Sequence, residues 1–321
     1  MQNLDIMVIE HAINWIKTQP VWLCTVLNTF GSSPRPPGTM MSINMAGQFC
    51  GSLSGGCIEE DFIRRIQEGE FRHASQVVRY GEGGLPPDRT LPCGGVLDIL
   101  IEYLPVASHY TNRLVELHQA LLGRFSLRKV VAPPFSCESL EKAEWRSSTV
   151  VERHDEKIVL TIAAAPRVII AGLSEVAICC MEFAVGLGFE TIICETRDDI
   201  LDNFRHRIHR QAILKNVFPA KYLELNGCHA NTAIVALTHD PRIDDLTLME
   251  AVNTPAFYLG VMGSERNSNT RLRRLAEIGG LTSQQLERVH APIGINIGSK
   301  TPAEIALSVM CHIVKEKNHI P

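Results

Sequence analysis

From Arg167 onward the chain alternates continuous apolar runs with helical patterns, and this alternation restricts its fold more than any other feature. Val168-Ile169-Ile170-Ala171 is apolar throughout, as a parallel strand covered on both faces must be. Gly172-Leu173-Ser174-Glu175-Val176-Ala177 then opens a helix that the pattern carries to about Leu187, where Gly188-Phe189 stops it. Thr191-Ile192-Ile193-Cys194 reads as a second strand ending on Glu195, 23 residues after Gly172. A glycine turn between strand and helix with an acid at that interval is the layout of a dinucleotide-binding β-α-β unit. There the helix N-terminus takes a pyrophosphate and the acid takes a ribose hydroxyl. A Rossmann-like parallel α/β domain over residues 166–321 is the expectation.

The fingerprint of that unit is incomplete. Ser174 stands where the second glycine lets backbone approach the pyrophosphate, and Glu175 would repel a phosphate at the helix end. A bound NAD(P) is therefore disfavoured, and an NAD(P)-dependent oxidoreductase remains as the alternative reading. Further strands are expected at about 233–237 and 256–261. They deliver Thr238-His239-Asp240 and Met262-Gly263-Ser264-Glu265-Arg266 to the crevice outside the carboxyl ends of the sheet. His239 reads as a base, an anion donor or a cap partner of Asp240. His290-Ala291-Pro292-Ile293-Gly294 suits a rigid substrate-facing loop, and Thr301-Pro302-Ala303-Glu304 is a capping box opening a last helix through about Lys317.

The N-terminal part reads as a small α+β domain over residues 1–106. An opening helix over 4–17 and a strand over 21–29 lead into Gly31-Ser32-Ser33-Pro34-Arg35-Pro36-Pro37-Gly38. Arg35 is the one charge in that loop, and with Ser32 and Ser33 it suits an anion such as phosphate. Short strands at 41–44 and 48–53 precede Gly51-Ser52-Leu53-Ser54-Gly55-Gly56-Cys57, and a helix is expected from Cys57 to Glu68. Gly55 and Gly56 permit positive φ and a close ligand approach. Cys57 is either a small buried cysteine or a thiol at a helix N-terminus, where N–H groups favour thiolate. Glu59, Glu60 and Asp61 on the same turn work against that thiolate. After a strand at 76–80, Cys93-Gly94-Gly95 repeats the motif in mirror order ahead of a buried strand over 96–104. Residues 107–165, with a helix at 109–123 and strands near 148–152 and 157–163, form a junction assigned to neither side.

The totals exclude several classes of function. At 321 residues the chain holds two domains, and a net charge of −4 leaves no electrostatic footprint for nucleic acid or an anionic membrane. The ten cysteines show no C-x-x-C pair and no zinc spacing, which suits free thiols in a reducing compartment. The start lacks the pattern of a secretory signal and no apolar run reaches membrane length, so a soluble cytoplasmic protein is expected.

Seven of these stretches together resemble the XdhC/CoxI family, the accessory factors that mature molybdenum hydroxylases. They are Gly31 to Pro36, Gly51 to Glu59, Cys93-Gly94-Gly95, Thr238-His239-Asp240, Tyr258 to Ser264, His290 to Gly294 and Thr301 to Ala306, in the family's order. The resemblance implies a carrier that performs no turnover. It binds molybdenum cofactor, in this branch as molybdopterin cytosine dinucleotide, protects it during sulfuration and hands it to an apo molybdenum hydroxylase of the aldehyde oxidoreductase or xanthine dehydrogenase type. Implied partners are a cysteine desulfurase and the cofactor's cytidylyltransferase, and a homodimer is the implied state. Cys57 becomes the first candidate for a soft molybdenum ligand and Cys93 the second. Gly55, Gly56, Gly94, Gly95, Arg35, Ser32 and Ser33 become candidates for cofactor phosphates, joined by His239, Gly263, Ser264 and His290 from the second domain.

Overall fold

The computed structural model describes residues 3–29, 35–56, 58–85, 96–146 and 148–318. It divides into two compact units, Leu4–Ala164 and, together with Asn3, the chain from Ala165 onward.

The first unit contains α1 (Leu4–Trp15), β1 (Val21–Thr29), β2 (Met40–Asn44), β3 (Phe49–Gly51), α2 (Glu59–Glu68), β4 (Ser75–Tyr80), β5 (Leu97–Leu104), α3 (Ser108–Leu121), β6 (Ser126–Val131), β7 (Cys137–Ala143), β8 (Val150–His154) and β9 (Lys157–Ile162). Five strands form an antiparallel sheet in the order β3-β2-β1-β5-β4, and four more form a second in the order β7-β6-β9-β8. Alternate residues of β1, β2 and β5, among them Trp22, Cys24, Ile43, Ile99 and Ile101, meet Phe62 and Ile66 of α2 in one core. Cys24 is wholly buried there, as its place in an apolar strand implied. Residues 107–165 thus supply α3 and a sheet to this unit. Two of its strands escape a pattern reading because polar residues run through them, as in Cys137-Glu138-Ser139-Leu140-Glu141-Lys142.

The second unit contains β10 (Arg167–Ala171), α4 (Glu175–Gly186), β11 (Glu190–Cys194), α5 (Asp198–Phe204), β12 (Ile213–Lys215), α6 (Pro219–Asn226), β13 (Thr232–Ala236), α7 (Pro241–Ala251), β14 (Tyr258–Val261), α8 (Glu265–Glu277), α9 (Ser283–Glu287), β15 (Val289–His290) and α10 (Pro302–Lys317). Its sheet is parallel in the order β12-β11-β10-β13-β14-β15, with the connection reversing between β10 and β13. Val168 and Ile170 face α4 and α10, whereas Ile169 and Ala171 face α6, α7 and α8. This two-sided burial explains the unbroken apolar runs. The mixed α/β class and the Rossmann-like parallel sheet are as the sequence led us to expect. No described helix is long and apolar enough to cross a membrane.

Candidate functional site

The loop after β3 is built around one carboxylate. Glu59, 5% exposed, accepts hydrogen bonds from Ser52 Oγ at 2.7 Å, Leu53 N at 2.9 Å and Ser54 N at 3.0 Å through one oxygen. Its other oxygen takes Ser54 Oγ at 2.7 Å, Gly56 N at 3.0 Å and Ile58 N at 3.2 Å. Burial alone would raise this carboxyl, but the bonds from Ser54 and Ser52 outweigh it and hold it down to about 2. Gly55 N completes the ring by donating to Ser52 Oγ at 2.9 Å.

This arrangement also changes the boundary of α2. The helix starts at Glu59 behind Ile58 instead of at Cys57, as Ser52, Leu53, Ser54, Gly56 and Ile58 all direct donors onto the Glu59 side chain. Gly55 and Gly56 have φ of +87° and +115°, and both are exposed. A Cβ on Gly56 would meet nothing within 4 Å, so conformation and not crowding requires the glycine there. The described amides of the loop point inward to Glu59 and Ser52. A carboxylate of the chain itself thus occupies them where the sequence suggested a phosphate.

The neighbouring acids are also engaged. Asp61 pairs with Arg64 and Arg65 and accepts from Tyr80 Oη at 3.1 Å, so its charge is balanced inside the unit. At the start of the loop, Gly51 (φ +96°) lies so close to Met40 O that a Cβ would come within 2.5 Å of it. Met40 N donates to Asp5 on α1 at 3.2 Å. Burial pushes the Asp5 carboxyl up to about 6, with the Met40 amide and the Arg35 charge opposing. Arg35 therefore stands near Asp5. Ser32, Ser33, Cys57, Cys93, Gly94 and Gly95 lie outside the described residues.

In the second unit the β10–α4 turn is closed by a second internal carboxylate. Glu195, 1% exposed, accepts from Leu173 N at 2.8 Å, Thr196 N at 2.9 Å and Arg197 N at 3.0 Å, and pairs with the Arg197 guanidinium at 2.7 Å. Burial raises its carboxyl and the Arg197 bonds, with the backbone bonds, bring it below the ordinary range. A Cβ on Gly172 would fall 2.0 Å from Thr238 Cγ2, so the β10 and β13 loops abut at the switch point. Ser174 Oγ caps α4 by accepting from Ala177 N at 3.2 Å, and Glu175 pairs with Arg207 at 2.6 Å. Among the described residues, the acid read as a ribose ligand is thus an internal clamp.

His239, Gly263, Ser264 and His290 all come from the carboxyl ends of the neighbouring strands β13, β14 and β15. His239 is exposed and holds φ +64°, an uncommon conformation for a side-chain-bearing residue. Asp240 caps α7 on its own, accepting from Arg242 N at 2.9 Å. The turn is fixed by Thr238 Oγ1, which donates to the buried Asp244 at 2.7 Å, and by Arg271, which pairs with Asp244 and donates to Met262 O at 2.8 Å. Ser264 caps α8 through Asn267 N at 3.3 Å. His290 is engaged inside the unit: it stacks on Tyr258 at 4.5 Å and meets His312 edge-on at 4.5 Å, and Tyr258 Oη lies 2.9 Å from His312 Nδ1. Burial lowers both imidazoles. Among the described residues, no group of three His, Cys, Asp or Glu side chains could hold a metal ion.

Sequence reasoning missed Glu59, Glu195, Asp244 and Arg271 as organising groups. Glu59 did carry a signal, since an acid in the first turn of a helix behind a serine- and glycine-rich loop is a ready acceptor for that loop. Arg271 carried none, because its partners lie on other elements.

Comparison with known proteins covers both units. The model of the XdhC and CoxI family matches residues 15–81, and that of the XdhC Rossmann domain matches residues 168–313. The chain is 25% identical to the molybdenum cofactor insertion chaperone PaoD of Escherichia coli K12, over 92% of this chain and 83% of that one. It is 24% identical to a probable xanthine dehydrogenase subunit of Bacillus subtilis 168, covering 93% of each. A crystal structure of a xanthine dehydrogenase from Bacillus halodurans shares the fold, with a TM-score of 0.73 at 22% identity and coverage of 100% and 97%.

Proposed function

This chain belongs to the XdhC/CoxI family, and from that membership we propose that it is a molybdenum cofactor insertion chaperone. It receives the cofactor in its cytosine dinucleotide form, shields it while a cysteine desulfurase supplies the sulfido ligand, and delivers it to an apo molybdenum hydroxylase. A cytidylyltransferase would supply the cargo, and the protein would work in the cytoplasm as a homodimer without turning over a substrate. The likeness to PaoD along nearly the entire chain carries this reading.

The geometry agrees with it at the Glu59 loop. Anchoring from beneath fixes residues 52–56 while leaving Gly55 and Gly56 exposed. Cys57 follows directly in the chain, and a soft thiolate suits a molybdenum dithiolene centre. With the described loop amides already engaged, Arg35 is the phosphate candidate of the first unit, and the exposed turns at His239 and Ser264 are separate candidates within the second.

The test is purification without oxygen from a host that makes the cofactor, with metal and pterin analysis. Roughly one molybdenum and one pterin per chain are expected, together with loss of both, and of target maturation, on Cys57→Ser. A protein that carries neither, and whose Cys57→Ser variant still matures its target, would refute the reading. Tight stoichiometric binding of NAD(H) would favour the oxidoreductase instead.

A further inference from the structure

A charged cavity lies in the first unit, lined by residues of β1, β5, α3, β6 and β7. Its volume is about 20 Å³, room for about one water-sized occupant. Leu23, Leu104, Leu114, Leu117 and Leu140 supply apolar walls, and into them project Lys129, Glu102 and Arg113. Lys129 and Glu102 are 4% and 2% exposed and bonded to each other. Cys137, whose thiol burial pushes up while the Lys129 charge opposes, lines the same space.

The charges do not balance. Lys129 and Glu102 cancel, and Arg113 adds a second cation. Arg113 has its Cζ 5.8 Å from the Tyr110 ring centroid, while its Nη1 is buried with no acceptor among the described residues. A guanidinium N–H kept from water without an acceptor is costly, and a cation pair facing one carboxylate in an apolar setting favours an added negative charge. Water would satisfy the N–H but leave the excess charge.

We propose that this cavity binds a single monovalent anion of halide size, held between Arg113 Nη1 and Lys129 Nζ. The anion ties α3 to the two sheets, which makes the first unit sensitive to halide concentration. Nothing in this proposal depends on the cofactor role.

Bromide tests it on the full chain. Crystals grown in sodium bromide should show an anomalous peak within the Arg113–Lys129 space. The melting temperature should rise by about 3 °C between 5 mM and 500 mM bromide, at ionic strength held constant with gluconate. Arg113→Lys should keep that rise and Arg113→Gln should lose it. Density for water alone in the cavity, bromide peaks confined to the surface, or melting curves that respond equally to bromide and gluconate would each overturn the proposal.

Discussion

The two units each place a glycine turn between a strand and a helix, and each fills that turn with a carboxylate of its own. They do it with different partners. Among the described residues, Glu59 is held by neutral donors, four backbone N–H groups and two serine hydroxyls. Glu195 takes three backbone N–H groups and adds the Arg197 guanidinium as counter-charge. A carboxylate met only by neutral dipoles orders many residues of one loop, whereas one neutralised by an arginine needs fewer of them and pins two strand ends together. The first arrangement leaves two exposed glycines in front of it, and the second leaves Gly172 pressed against Thr238. A strand, glycine and helix pattern therefore marks where amides converge, without saying whether a ligand or the chain itself answers them.

The sharpest way to break this comparison is Glu59→Gln. The amide keeps the shape but offers a single neutral acceptor where six donors converge among the described residues, so a loss of about 3 kcal/mol at pH 7 is expected in urea unfolding. The pH dependence identifies the cause. Because the folded carboxyl lies near 2, below its ordinary value of 4.5, its contribution is complete above about 4.5 and disappears as the pH falls toward 2. The gap between wild type and variant should close over that window. A gap that stays constant down to pH 2 would mean that packing and not charge holds the loop. The molybdenum and pterin content proposed above should also fall in the variant, since the loop leading to Cys57 would no longer be fixed.

Legibility in the sequence followed the same physical line. Continuous apolar runs such as Val168–Ala171 announced central strands because both faces are covered. The capping box at Thr301 and Glu304 formed as its residue types imply, with both reciprocal bonds present. β6 and β7 were hidden, since Lys129 looks like a surface residue until Glu102 is seen opposite. In the site, glycine positions were readable because positive φ is a local property, and the meaning of the acids was not. Glu59 counted as a charge beside a thiol, while its oxygens in fact turn toward the loop, a direction set by tertiary packing. His239 shows the same limit. Its αL backbone is imposed by Thr238, Asp244 and Arg271, residues up to 33 positions apart.

A smaller effect is expected from Glu195→Gln. The side-chain oxygen still accepts from Leu173 N, and Arg197, 27% exposed, can turn to water. Destabilisation of about 1–2 kcal/mol should result, without loss of the molybdenum or pterin content proposed above. If instead the variant released the cofactor while remaining folded, the second turn would be a ligand site and its likeness to the Glu59 loop would be closer than the hydrogen bonds imply.

The smallest effect tests whether the missing glycine is what closes the second turn. Ser174→Gly restores the dinucleotide fingerprint at the position where it fails, and it removes only the bond to Ala177 N. Glycine is itself an acceptable N-cap, so the cost in stability should be a few tenths of a kcal/mol. Calorimetric titration with NAD(H) should give no heat above dilution, as for the wild type, because Leu173 N stays committed to Glu195 and Thr238 still packs on Gly172. Only joining it to Glu195→Ala frees that amide, since a glutamine oxygen would still accept from it. Binding by the single variant would show that Ser174 alone bars the nucleotide. Binding only by the double variant would place the obstacle at Glu195, the carboxylate that already answers the turn.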